Sequence, residues 1–325
     1  MNAFSWTDAR TVDEALAALD GTTAVKAGGI DLLDLMKEGL ATPSRLVNIR
    51  NIKGLDKIAT TDAGALRIGP LVTLDRLSSD DEVRKRALVL AEAAGHAATP
   101  QIRNMATLGG NLLQRPRCWY FRSEQFNCLK KGGDHCFAQE GENQYHAIFG
   151  NQPCAIVHPS ATATALVALH AKLEITGRSG AREVAIEDFF STPEQDVTRE
   201  NTLGTAELIT AIVVPAPASG AVSAYTKLGE KESFDWPIGE VAVVLEMNGS
   251  VCRSASIVLG AVAPIPWRAR GAEAALNGKT LDNATIADAA RAAVAGATPL
   301  AHNGYKVAIA EALVRRTIQA AGASV

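Results

Sequence analysis

Four of the five cysteines, Cys118, Cys128, Cys136 and Cys154, fall within 37 residues in the pattern Cys-x9-Cys-x7-Cys-x17-Cys, and Cys252 lies far downstream. Thiolates are soft ligands, so four in one segment point to a metal or a cluster. Structural zinc sites bring cysteines in pairs two to four residues apart, and no such pair exists here. An iron–sulfur cubane asks only that four thiolates converge. A [4Fe–4S] cluster is therefore the leading reading, with structural zinc and free or disulfide-bonded cysteines as the others. His135 and His146 lie in the same segment. Four thiolates complete a cluster, so the histidines are expected beside the ligands or at the surface. Cys128, flanked by Asn127 and Lys130, is expected in the most solvent-like stretch, and Cys252 as a small buried residue of a strand.

Two glycine loops offer a second chemistry. Ala27-Gly28-Gly29-Ile30-Asp31 follows a short β-rich run and opens a helical pattern, and Ala106-Thr107-Leu108-Gly109-Gly110-Asn111-Leu112 repeats the type about 80 residues later. Amides at such turns can face an anion where the helix dipole also favours negative charge, although a plain tight turn has the same composition. Two loops together could grip a diphosphate from both sides. Neither has the Gly-x-Gly-x-x-Gly of a dinucleotide-binding βαβ unit or the Gly-Lys-Ser/Thr of a P-loop, which disfavours a nicotinamide or a nucleoside triphosphate.

The surrounding elements must position these segments. Thr23–Lys26, Arg45–Ile49 and Ala65–Gly69 have strand character, Leu32, Leu33 and Met36 are at helical spacing, and Asp80 to Ala97 is expected as one helix. Periodicity disappears between Arg115 and Phe149, and an aperiodic loop of that length is usually functional or disordered. A helix over Ser160–His170 and strands at Lys172–Thr176 and Leu208–Val214 restore order before the Pro215–Gly220 break. Beyond it, strands Val241–Met247 and Val251–Leu259 flank Asn248-Gly249, a hairpin signal, and the chain ends in helices over Thr285–Ala295 and around Val307–Ile318.

At 325 residues, with 47% hydrophobic side chains, the chain can bury two or three cores. Thirty-two basic against 35 acidic residues give a net charge of −3, with no long basic run, which argues against nucleic acid as a partner. No apolar stretch is long enough for a membrane span, and Met1–Asp8 lacks the features of a secretory signal. The expected location is the cytoplasm, or the periplasm by co-export with a signal-bearing partner.

Ala27-Gly-Gly-Ile-Asp-Leu-Leu33 and Ala106-Thr-Leu-Gly-Gly-Asn-Leu-Leu113 resemble the two FAD-diphosphate loops of the molybdenum hydroxylase flavoprotein subunits, the xanthine dehydrogenase and carbon monoxide dehydrogenase medium-subunit family. The likeness continues through Ile68–Thr73, Gln101–Asn104, Val157-His-Pro-Ser160, Ser233-Phe-Asp-Trp-Pro237, Gly260–Arg268 and Tyr305–Arg316. It implies an α+β architecture: a two-subdomain FAD-binding domain of the vanillyl-alcohol-oxidase-like type over residues 1–217, followed by a smaller α+β domain over 218–325. It also implies FAD held by Ala27, Gly28, Gly29, Ile30, Asp31, Leu32, Thr107, Gly109, Gly110, Asn111 and Lys227, with the amides of Gly28, Gly29, Gly109 and Gly110 around the diphosphate. Two positions depart from the family, which often has a small hydroxyl residue where Ile30 stands and an acidic one where Ala161 stands.

One branch of the family carries a cysteine insertion at this point, about 115–155. It includes the FAD subunits of 4-hydroxybenzoyl-CoA reductase and of periplasmic-type aldehyde oxidoreductases. Cys118-Trp-Tyr-Phe-Arg122, Lys130-Lys-Gly-Gly133 and Gly141–Gly150 resemble its marks. The resemblance implies a [4Fe–4S] cluster on Cys118, Cys128, Cys136 and Cys154. The implied function is an electron relay in a heterotrimer, between a [2Fe–2S] small subunit that serves a molybdenum–pterin large subunit and an external electron carrier. The competing readings are a self-sufficient flavin oxidase of the same fold and a subunit whose insertion holds structural zinc. No Ser/His/Asp or hydrolytic zinc constellation is visible, so no catalytic residue is assigned.

Overall fold

The computed structural model describes residues 1–323, so the expected end of the C-terminal domain at Val325 lies outside the described residues. The first unit is a parallel sheet in the order β1-β3-β2 (β1 Ser5–Asp8, β2 Thr23–Lys26, β3 Arg45–Asn48) with α1 (Val12–Ala18) and α2 (Ile30–Lys37) between the strands. Its core packs Leu16 and Leu19 of the α1 region against Val47, Ile49 and Ile52.

The second unit begins with β4 (Ile58–Thr60) and β5 (Leu66–Ile68), followed by helices α3 (Leu74–Ser79), α4 (Asp81–Arg86), α5 (Leu88–Gly95), α6 (Pro100–Arg103), α7 (Leu108–Leu112) and α8 (Ala161–Ala168). It closes with β6 (Lys172–Gly177), β7 (Gly180–Ala185), α9 (Ile186–Phe189) and β8 (Glu207–Val214). The antiparallel order is β4-β5-β8-β6-β7, so β5 pairs with a strand that follows it by more than 130 residues of chain. Helix α8 is buried along its whole length, and with α5 it fills the core over this sheet.

The third unit contains β9 (Ala221–Leu228), β10 (Gly239–Asn248), β11 (Val251–Gly260), β12 (Trp267–Arg268), α10 (Arg270–Leu276), β13 (Lys279–Thr280), α11 (Asn283–Val294) and α12 (Tyr305–Gly322). Its antiparallel sheet runs β12-β11-β10-β9, with α10, α11 and α12 packed on it. On α12, Ala310, Leu313, Val314, Thr317 and Ile318 face inward and Arg315 and Arg316 outward. No described helix is long and apolar enough to cross a membrane.

Two expectations are corrected. The single helix over Asp80–Ala97 is two, because Ala87 (φ −147°, ψ 54°) leaves the helical region between the charged, exposed α4 and the almost wholly buried α5. The Asp80 side chain caps α4 through the amides of Glu82 and Val83, and the bend then turns α5 into the core. The β10–β11 hairpin pairs Asn248 with Val251, so its two-residue turn is Gly249-Ser250 rather than Asn248-Gly249. Gly249 takes the positive φ, at 57°, while Asn248 stays in the strand.

Candidate flavin cavity and cysteine insertion

The two glycine loops meet at one wall of a cavity of about 550 Å³, within the range of small-molecule and cofactor sites. Strand β2 delivers the first loop. Gly29, at φ +85°, is the N-cap of α2 with no side chain capping the helix, so the first-turn amides lack both intrahelical and capping partners. The Gly28 and Gly29 N–H groups also meet no acceptor among the described residues. Gly28 is dictated by close approach, since a Cβ there would lie 2.0 Å from the Met105 carbonyl oxygen of the second loop.

The second loop is built differently, its glycine amides already having partners in the chain. Gly109 N–H donates to the Pro70 carbonyl at 2.8 Å, and Gly110 N–H donates to the Thr107 hydroxyl, the N-cap of α7, at 3.2 Å. The buried Gly109 amide thus finds its partner on the segment after β5, and the Gly110 amide finds one within its own turn. What this loop offers the cavity is the bare face of Gly110 and the carboxamide of Asn111. The Asn111 oxygen accepts from Ser160 Oγ at 2.7 Å and Thr162 Oγ1 at 2.6 Å, which fixes the side chain and leaves its NH₂ to donate. Ala161 lies between those hydroxyls and lines the cavity, so the missing acidic side chain leaves the Asn111 clamp intact.

Ala27, Ile30, Leu32 and Lys227 also line the cavity. The Asp31 carboxylate is engaged elsewhere: it accepts from the Arg115 amide at 2.9 Å and pairs with Arg117 at 2.6 Å and Arg122 at 2.8 Å. Asp31 thus ties α2 to the insertion. The Arg117 guanidinium in turn stacks 4.4 Å over Trp236, which with Phe234 and Asp235 closes another side of the cavity, placing the Ser233–Pro237 segment at the site. Lys227 Nζ donates to the His96 carbonyl at 3.1 Å, and burial lowers its pKa.

All four insertion cysteines line one small apolar cavity of about 10 Å³ together with Tyr120, Phe121, Phe137, Ile156 and His146. None is in a disulfide. Backbone N–H groups of Phe121 and Tyr120 aim at Cys118, those of Ala155, Ala138 and Gln139 at Cys136, and that of Ile156 at Cys154. Burial pushes the Cys118 thiol up to about 11. A shared hydrogen bond holds Cys136 at about 6 and drives Cys154 well up. Among the described residues no three His, Cys, Asp or Glu side chains meet at a single-ion position; the sulfurs ring a space instead. Four thiols at one small cavity, three of them with backbone amides directed at them, are a set of soft donors.

The solvent-like placement of Cys128 is corrected: it is 5% exposed, packed with Leu35 and Phe121. Lys130, which suggested solvent, is itself buried, ion-paired to Glu200 at 2.7 Å and donating to the Val197 carbonyl at 3.0 Å. His146 Nε2 lies 3.2 Å from Cys118 Sγ, and burial lowers its pKa to about 4. His135 is outside the ring of cysteines, its imidazole edge-on to Phe137. Cys252 is fully buried in β11 and lines neither cavity. The insertion is anchored to α12 by Lys306, which donates to the carbonyls of Tyr145, His146 and Ala261 at 3.2, 3.1 and 2.7 Å; burial drops its pKa to about 7.

Sequence reasoning missed Arg117, the Thr162 hydroxyl and Glu240, a buried carboxylate in the cavity wall. The last had one faint signal, a lone acid at the head of the apolar run Val241–Leu245.

A family model described as the FAD binding domain in molybdopterin dehydrogenase matches residues 2–217, and one described as the CO dehydrogenase flavoprotein C-terminal domain matches 223–321. The aldehyde oxidoreductase FAD-binding subunit PaoB of Escherichia coli (strain K12) is 37% identical over 317 residues, covering 96% of each chain. The carbon monoxide dehydrogenase medium chain of Hydrogenophaga pseudoflava is 30% identical over 327 residues, covering 98% of this chain and 97% of its own. Among solved structures, carbon monoxide dehydrogenase from Hydrogenophaga pseudoflava superposes with a TM-score of 0.78 at 30% identity, over 99% of this chain and 98% of its own. Quinoline 2-oxidoreductase from Pseudomonas putida 86 gives a TM-score of 0.77 at 27% identity, with the same coverage.

Proposed function

The chain belongs to the FAD-binding medium-subunit family of the molybdenum hydroxylases, and from that premise we propose that it relays electrons within a heterotrimeric molybdenum-containing aldehyde oxidoreductase. In this reading the 1–217 domain holds FAD in the 550 Å³ cavity, its insertion at about 115–155 holds a [4Fe–4S] cluster, and the 218–325 domain closes the flavin site. Partners are a [2Fe–2S] small subunit, a molybdenum–pterin large subunit and an external electron carrier. The carrying observation is adjacency. Arg117 lines the flavin cavity, Cys118 lines the cysteine cavity, and one peptide bond joins them.

When bound, FAD exchanges electrons in pairs or singly and an iron–sulfur cluster exchanges them singly, which suits one chain to join a two-electron reaction to one-electron carriers. The chain's own residues bind and orient. The uncapped amides of α2, the Gly110 surface and the Asn111 NH₂ would hold the diphosphate. Arg117 and Trp236 would close the cavity against water, and the four thiols, three of them with amide donors, would hold the cluster. Substrate chemistry is assigned to the molybdenum–pterin partner subunit in this reading.

Iron, zinc and flavin quantification with an absorption spectrum of the isolated complex tests the reading. The expected result is one noncovalent FAD and about four irons per chain beyond those of the [2Fe–2S] partner. Zinc without excess iron would move the insertion to a structural role. Robust aldehyde oxidation by the polypeptide alone would favour a self-sufficient flavin oxidase.

A further inference from the structure

Glu240 of β10 is 1% exposed, yet it forms part of the flavin-cavity wall, directly across from Lys227 of β9, which lines the same cavity. A carboxylate buried this deeply is costly unless its oxygens find donors. Three elements supply what it needs. Tyr225 donates its hydroxyl to Oε2 at 2.5 Å, and Thr164 of α8 donates to Oε1 at 3.0 Å. Gly260 of β11 supplies the room, since a Cβ there would lie 2.2 Å from Glu240 Oε1 and 2.4 Å from Thr164 Oγ1. Tyr225 is in turn held by its own amide, which donates to the Glu92 carboxylate at 2.9 Å.

Opposite charges facing each other across two strands ordinarily close on each other. Here the Lys227 ammonium donates to the His96 carbonyl and the Glu240 oxygens accept from Tyr225 and Thr164, so the two residues line the cavity without closing into an ion pair. Asp235, also in the cavity wall, is the other carboxylate that acts on Lys227. Burial pushes the Glu240 carboxyl above its usual range, while Tyr225, Thr164 and Lys227 draw it back toward the charged form.

We propose that Glu240 and Lys227 form a split charge pair that sets the reduction potential of the flavin held in this cavity, Glu240 lowering it and Lys227 raising it. The proposal rests on the FAD reading of the cavity. A fixed anion beside a flavin disfavours the added electrons and a fixed cation favours them, the buried Glu240 acting at lower dielectric than the partly exposed Lys227. The alternative role for Glu240 is purely structural, tying the C-terminal sheet to α8 through Thr164. Glu240→Gln separates the two, because it keeps the size and the carbonyl acceptor while removing the charge.

The test is a reductive titration of the bound flavin in the assembled complex, for wild type, Glu240→Gln, Lys227→Met and the double variant. Glu240→Gln is expected to raise the reduced-to-oxidised ratio at a fixed potential at least tenfold, about 30 mV for a two-electron couple. Lys227→Met shifts it the opposite way, and the double variant falls between. Flavin bound as in wild type with unmoved potentials, or both single variants shifting in one direction, overturns the charge pair and leaves the FAD reading standing. If Glu240→Gln does not fold, the partly exposed Lys227 decides alone, and no downward shift in Lys227→Met overturns the proposal. A wild-type complex without flavin overturns the FAD reading and the charge pair with it.

Discussion

Gly109 and Gly110 are chemically identical neighbours that answer to different demands. A Cβ on Gly109 would lie 2.8 Å from Pro70 Cβ, so that glycine serves packing; Gly110 is exposed to the cavity and would meet only Thr107 Oγ1, at 3.1 Å. Gly110→Val is therefore expected to lose FAD on desalting while its unfolding temperature stays near wild type. Flavin retained at full occupancy would remove the loop from the site. His158 makes a prediction in pH. Full burial holds its imidazole neutral, with the pKa at about 4 against 6.5 when unfolded, and Nδ1 accepts from the Ser160 amide at 3.4 Å. The unfolded chain binds the proton first as pH falls, so stability present above pH 6.5 is lost on the way down to about 4. The loss attributable to His158 is about 2 kcal/mol by pH 5, and His158→Gln should flatten that part of the unfolding profile between pH 7 and 5. At this scale the sequence was informative about which residues meet, as with the four cysteines that line one cavity. It was silent on Glu240, because one acid in an apolar strand acquires meaning only from Tyr225, Thr164 and Lys227, which lie elsewhere in the chain or on another strand.

Among the elements, α2 (Ile30–Lys37) touches both candidate sites. Its N-terminus opens on the flavin cavity while Asp31, one residue into the helix, gathers Arg115, Arg117 and Arg122 from the insertion. Asp31→Asn leaves the guanidinium groups of Arg117 and Arg122 without that counter-charge. The variant is expected to lower FAD affinity and iron content together, by several-fold each, since both sites share this helix. An effect on flavin alone, with iron unchanged, would show that Asp31 serves only the loop. Several elements were legible from composition or spacing: β2, β3 and β8 as short β-rich runs, and α12 because its three-to-four apolar spacing agrees with burial. The exceptions have local physical causes. The Asp80–Ala97 pattern is helical throughout, and only the need to turn α5 beneath the sheets breaks it at Ala87. In the hairpin, the glycine rather than the asparagine takes the first turn position, which moves the turn by one residue. The insertion has one short 3-10 turn, Leu129–Lys131, so periodicity could never have shown that it folds around its own aromatic cluster of Tyr120, Phe126 and Phe137.

For the whole molecule, the two cavities are adjacent yet separately built, one walled by three units and the other enclosed by the insertion. Cys128→Ser is accordingly expected to give a split phenotype, with iron lost or weakened and flavin largely retained; unchanged iron and visible absorption would exclude Cys128 as a ligand. Because Cys128 packs on Leu35 of α2, a modest drop in flavin occupancy accompanies the loss. The pairing of β5 with β8 has a consequence for how such a molecule is made. At 5–20 residues per second, roughly 7–30 s pass on the ribosome between synthesis of Ile68 and of Val214, and throughout that interval β5 has β4 on one side and a bare edge on the other. Every insertion cysteine emerges before that sheet can close. A nascent chain interrupted before Glu207 thus presents an open strand edge and four reduced thiols at once, a species that must be shielded from mispairing and oxidation until its last sheet neighbour arrives.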